Sequence, residues 1–173
     1  MKKYIFPFAI VLAVTLPTTG LAVTILTQDA ERSIRENCVD AQQDMQSLQR
    51  TDPVSRISRG NTYANMQRLM TAMSARSAAN AYNIPELTET TNEFTNLKTE
   101  FTTNYTEYEI DLRNLATMRC ESDTILFYDR LENVRQEREQ VAQNIKDMDK
   151  QIELFEKAVL KLNTQLKARQ DEQ

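Results

Sequence analysis

Apolar residues in this chain recur at steps of three, four and seven from about residue 27 onward, the spacing of helices and not of strands. The pattern is strongest at the end. Phe127, Val134, Val141, Met148, Phe155 and Leu162 stand seven residues apart, with Leu131, Ile145, Ile152, Val159 and Leu166 at the d positions and Arg138 as the single break. Heptads sustained over some 40 residues predict a coiled-coil seam. The helix that carries it spans 123–170, is capped by Glu121-Ser122-Asp123, and is ~72 Å long.

A second stripe at steps of seven, Leu87, Phe94, Phe101, Tyr108 and Leu115, flanked by Leu97, Tyr105 and Leu112, predicts a helix over 86–119. Eight threonines between Thr88 and Thr106 lower its intrinsic propensity, so packing must hold it. Upstream, Ala30, Ile34, Cys38, Ala41, Met45 and Leu48 share one face of a helix over 27–50. Tyr63, Met66, Leu69, Met70 and Met73 form the core side of a helix over 54–82. Breakers between these segments are few. Asp52-Pro53 reads as an N-cap followed by proline in the first turn. Asn83-Ile84-Pro85 reads as a turn, because the residue before proline avoids helical geometry.

The expected class is all-α: an elongated antiparallel helical hairpin or three-helix coiled-coil bundle, with one domain over 23–173. Charge favours antiparallel pairing of the middle helices. From Arg50 to Pro85 there are five arginines and one acid, Asp52; from Glu86 to Asp111 there are seven acids and one lysine. Each exposed pair contributes only a few tenths of a kcal/mol.

The N-terminus adds an address. Met1-Lys2-Lys3, the apolar run Tyr4 to Leu16, and Pro17-Thr18-Thr19-Gly20-Leu21-Ala22 have the layout of a secretory signal peptide, residues 1–22, cut between Ala22 and Val23. Apolar character continues through Val23, Ile25 and Leu26, so the alternative is an uncleaved anchor that just spans a bilayer. Cleavage removes Lys2 and Lys3 and no acid. The 151 residues left carry 19 basic and 25 acidic side chains, a net of −6, a poor match for nucleic acid or anionic lipid. The expected location is extracytoplasmic, in the cell envelope or secreted.

Cys38 and Cys120 are the only cysteines, and in an oxidising compartment a disulfide between them is the expected state. In the chain-entropy model, closing that loop stabilises by ~4.5 kcal/mol. With the turn centred near Ile84, Cys120 lies 36 residues after it and Cys38 46 before it. Continuous helices would then leave the sulfurs ~15 Å apart along the axis. An irregular bulge over Thr51–Gly60, which holds Pro53 and Gly60, is expected to absorb the difference.

No residue pattern carries catalysis. Absence of histidine excludes a His-based triad or His-metal site, and two glycines are too few for a Gly-rich phosphate loop. Three thioethers, Met66, Met70 and Met73, share a face and admit a Cu(I) or small-ligand reading beside that of a plastic core. The acids of the last helix, Asp129, Glu132, Glu137, Glu139, Asp147, Asp149, Glu153 and Glu156, alternate with arginines and lysines as a solvated face does. Asn104-Tyr105-Thr106 is a lone glycosylation sequon. No catalytic, cofactor or metal residue is assigned.

The signal peptide, Cys38, the segment Arg56-Ile57-Ser58-Arg59-Gly60-Asn61-Thr62-Tyr63, the turn Tyr82-Asn83-Ile84-Pro85-Glu86-Leu87, and Cys120 before a last heptad helix form a combination. It resembles exported helical, coiled-coil proteins of uncharacterised activity common in Patescibacteria, including Saccharibacteria. Where chains of that group often carry a Gly-Tyr-Asp turn, this one reads Ala81-Tyr82-Asn83. The resemblance implies a cell-envelope or secreted helical protein and transfers no functional residue.

Taken together, the expected role is non-enzymatic: a scaffold or adhesion module that binds protein partners, with self-association through the heptad seam. The alternatives are a holdase-type chaperone, similar in outline to the Skp-type chaperones, and a Met-lined ligand or Cu(I) site.

Overall fold

The computed structural model describes residues 27–171. Among them every regular element is a helix, and the fold is all-α: α1 (Gln28–Glu36), α2 (Cys38–Ala79), α3 (Pro85–Ala116) and α4 (Thr124–Asp171). The signal-peptide assignment, with Ala22 and Val23, lies outside the described residues.

The two heptad stripes become the core. Leu87, Phe94, Phe101, Tyr108 and Leu115 are all buried on α3, as are Leu97, Tyr105 and Leu112. Facing them, Phe127, Val134, Val141, Met148 and Phe155 of α4 are buried, with Leu131, Ile145, Ile152, Val159 and Leu162 packed at the edge. The α4 seam is therefore filled by α3 of the same chain. Seven of the eight threonine hydroxyls between Thr88 and Thr106 donate to the carbonyl four residues back, for example Thr91 to Leu87 at 2.6 Å and Thr95 to Thr91 at 2.8 Å. Their polarity is absorbed locally while the aromatic stripe packs.

The break expected at Pro53 is not there. Helix α2 runs unbroken for 42 residues with Pro53 inside it, and the interruption falls instead at Asn37. Proline in a helix interior costs roughly 3 kcal/mol. Contacts on both sides offset this: Met45 and Tyr63 are buried, and Leu48 and Met66 pack against the same core. Asn37 ends α1 because its side chain donates to Ser33 O at 2.8 Å, competing with onward helix. Leu69, expected in the core, is 53% exposed. It precedes the fully buried Met70 by one position, ~100° round the helix.

Cys38 and Cys120 are joined, with Cα atoms 5.7 Å apart. The Thr51–Gly60 bulge is thus a wrong expectation, for two physical reasons. Residues Asn80–Ile84 form the reversal, so its centre is Tyr82 and the mismatch shrinks from ten residues to six, ~9 Å of helix. Helix α3 also stops at Ala116, and the four residues from Thr117 to Cys120 reach further per residue outside helical geometry.

At the reversal the chain forms a Schellman motif. Ala81 sits at φ 54°, Tyr82 N–H donates to Ser77 O at 3.0 Å, and Ala81 N–H donates to Ala78 O at 3.1 Å. The far end of α4 covers it: Arg169 donates to the Asn80 and Ala81 carbonyls and stacks over Tyr82, 4.1 Å from the ring centre. At the opposite end Arg35 Nε of α1 donates to Thr124 Oγ1 at 3.1 Å.

Candidate functional site

Arg138, the break in the last heptad, marks the polar centre of the molecule. Its guanidinium lies 3.5 Å from the Asp52 carboxylate of α2, and the same oxygen accepts from Tyr108 Oη of α3 at 2.6 Å. Asp52 therefore caps no helix; its carboxylate ties three helices together. The charged acceptor and the burial of the phenol both push the Tyr108 hydroxyl far above its ordinary pKa, with desolvation the larger cause.

Beside this knot the helices part into a cleft of about 660 Å³. On one wall Arg56 and Arg59 of α2 stand three residues apart; on the other Arg135 and Arg138 of α4 do the same. Aromatic Phe101, Tyr105 and Tyr108 come from α3, and Val141, Ala142 and Ile145 continue the apolar surface along α4. Phe101, Tyr105 and Tyr108 follow one another at 5.7 Å between ring centres, so the aromatic surface is fixed by its own stacking.

Three of the four arginines are engaged with carboxylates: Arg138 with Asp52, Arg135 with Glu132 at 3.5 Å, and Arg56 with Glu109 at 3.2 Å. Arg56 also lies over the Tyr105 ring, 5.5 Å from its centre. Among the described residues Arg59 has no carboxylate within 4.0 Å. The Tyr105 hydroxyl is buried with no hydrogen-bond partner, and desolvation, reinforced by Asp52 and Glu109, pushes its pKa up to about 12. Both phenols thus stay protonated at neutral pH, and only that of Tyr108 donates, to Asp52.

No family model, curated protein or solved structure matches the chain. Function must be read from the cleft's own chemistry. The cleft sets four guanidinium groups, three of them paired with carboxylates, above an aromatic floor.

The residues singled out from sequence are scattered. Cys38 and Cys120 form the buried disulfide, well away from the cleft. Met70 is fully buried, and Met66 and Met73 pack against the same core. Asn104 of the sequon donates to Asn144 Oδ1 at 2.8 Å across the α3–α4 interface. Among the described residues no cluster of three His, Cys, Asp or Glu side chains could hold a metal, and no helix is long and apolar enough to cross a membrane. Outside the cleft, Glu137 has one buried oxygen without a partner, and its pKa is raised to about 7, first by desolvation and then by Asp111 and Glu107.

Arg56, Arg59, Arg135 and Tyr105 carried no mark as a site in the sequence, because the three helices that supply them meet only in the fold. One signal was present: a cation in a heptad position needs a partner, and Arg138 had one in Asp52.

Proposed function

We propose that the chain is an exported, non-enzymatic scaffold or adhesion module, built as an elongated antiparallel three-helix coiled-coil bundle and closed by a disulfide. One observation carries this reading: a buried Cys38–Cys120 bond ties the start of a 42-residue helix to the connection that leads into a 48-residue one. A buried disulfide is at home in an oxidising compartment. Helices of that length offer partners long outer faces, on which Val54 and Ile57 of α2 and Leu160 of α4 are exposed.

The test is the intact mass of the protein isolated from its own cells, with and without thiol alkylation, followed by in-cell crosslinking. A chain that begins at Val23, takes no alkylating reagent and crosslinks to a defined protein supports the reading. Two alkylatable thiols would overturn the exported, stapled form. Stoichiometric suppression of the aggregation of a denatured client would replace the scaffold with a holdase.

A further inference from the structure

We infer that a second copy of this chain docks alongside the first, the outer face of α2 on one copy against the outer face of α3 on the next. This names a partner for the scaffold reading and rests on that reading only for what the assembly does. The heptad seam of α4 is already filled by α3, so the contact uses faces that the fold leaves bare.

The first observation is charge that the fold does not pair. Between residues 50 and 79 the exposed charged residues of α2 are all arginines, Arg50, Arg59, Arg68 and Arg76; Asp52 is half-buried in the knot with Tyr108 and Arg138. Between residues 86 and 111 those of α3 are all glutamates, Glu89, Glu93, Glu100 and Glu107. The one cation of that stretch, Lys98, is half-buried and donates to Gln67. Among the described residues a single ion pair, Arg56–Glu109, crosses between α2 and α3, and none of the eight exposed groups has an oppositely charged partner within 4.0 Å. Arg68 bonds only Ala64 and Asn65 of its own helix.

The second observation is where these groups point. At ~100° per residue, Arg50, Val54, Ile57 and Arg68 fall within ~60° of one another round α2, with Arg76 at the edge, on the side away from the buried Met45, Tyr63 and Met70. Glu89, Glu93, Glu100 and Glu107 fall within ~40° round α3, on the side away from Thr91, Thr95, Lys98 and Glu109, which meet α2. The basic and acidic faces therefore look in opposite directions and cannot satisfy one another within a molecule. Arg59 alone of the four exposed arginines lines the cleft, and it takes no part.

One antiparallel register brings the two faces together. With Arg68 set opposite Glu100, Arg76 comes within a residue of Glu93, and Ile57 within a residue of Ile110. Ile57 and Ile110 are 57% and 49% exposed, so the same contact covers an apolar residue on each copy. Exposed ion pairs are individually weak, which makes the association reversible and sensitive to salt. Because the docking surfaces differ, nothing closes the contact: each copy keeps one free face, and the copies extend into an open lateral array. All of them point the same way, with their disulfide ends along one edge.

The experiment is sedimentation equilibrium of the disulfide-intact chain over a range of concentrations. At ~10 mM salt, where charges act over ~30 Å, the mass is expected to climb with concentration past that of two chains; at ~1 M salt, where they act over ~3 Å, it should fall to that of one. Arg68→Glu with Arg76→Glu makes both sides of the contact acidic, and Glu93→Arg with Glu100→Arg makes both basic. Each double variant alone should associate at least ~10-fold more weakly. Mixed in equal amounts, the two complement each other at both faces and should regain the parent's mass. All four positions are exposed, and unchanged melting curves show that the loss is not one of folding. A monomer at low salt would overturn the inference, as would a mass that stops at two chains, assembly undiminished in either double variant, or a mixture no heavier than its components. A monomer that still crosslinks to another protein in cells ends this inference and leaves the scaffold reading in place; assembly of a chain that is not exported does the reverse.

Discussion

Ala81 is a non-glycine residue in left-handed geometry, and replacing it with glycine should stabilise the fold. At φ 54° an alanine Cβ crowds the following carbonyl, a cost of roughly 1–2 kcal/mol that glycine does not incur. Glycine in turn gives the unfolded chain more freedom, which returns roughly 0.4–1 kcal/mol. The net expectation for Ala81→Gly is a gain of about 0.5–1 kcal/mol, or ~1–4 °C in Tm for a domain of this size. The Schellman hydrogen bonds and the Arg169 contacts are made by backbone atoms, so the substitution removes none of them. Equilibrium urea unfolding with the disulfide intact measures the difference, and Ala81→Val serves as the opposite-sign control because a β-branched residue tolerates this region worst. An Ala81→Gly protein no more stable than the parent, at an unchanged denaturant slope, would refute the strained turn.

Gly60 lies within α2, and a Cβ added there meets nothing within 4 Å, so Gly60→Ala should gain roughly 0.5–1 kcal/mol by the same unfolding assay. Tyr108→Phe removes the donor to Asp52 and leaves that carboxylate with Arg138 alone, which should cost about 1.5–3 kcal/mol in urea unfolding. Glu137 has a pKa raised to about 7, so the folded protein holds a proton that the unfolded chain releases near 4.5. Stability from this group is fully present below pH 4.5 and is lost as pH rises through 7; Glu137→Gln should match the parent at pH 4 and exceed it at pH 8, by on the order of 1 kcal/mol once solvent screening is counted. Replacing Cys38 and Cys120 together with serine should lower stability by up to ~4.5 kcal/mol, read as a shift of the urea midpoint.

Legibility in the sequence followed burial. On α3 and α4 the heptad residues lie on one face with partners on the other helix, and the stripes named the large buried side chains but not the small or polar ones, Thr90, Thr91, Ala116, Thr124, Asn144 and Ala158. Helix α2 buries fewer apolar residues, Cys38, Met45, Tyr63 and Met70 only, so its stripe was weaker, local signals were weighed more heavily there, and they misled. Pro53 promised a stop that packing by Met45 and Tyr63 overrides. Asn37, with no proline or glycine nearby, ends a helix through a side-chain hydrogen bond that its neighbours do not announce. Leu69 shows that apolar identity alone does not fix a face. The cleft was the least legible part, since Asp52, Tyr108 and Arg138 are separated by tens of residues and acquire meaning only when three helices align.

The position of the disulfide also governs how the molecule carries force. Residue 28 lies at the Cys120 end and residue 171 near the Asn80 turn, so tension between them runs the length of the molecule. With the sulfurs bonded, that tension passes from Cys38 directly to Cys120 and into α4, and the 81 residues between the cysteines (a separation of 82) lie off the path. Reduction puts them back in series and adds ~280 Å of extensible contour. Oxidised, only the residues outside the cysteine loop can lengthen under load; reduced, the loop joins them as slack.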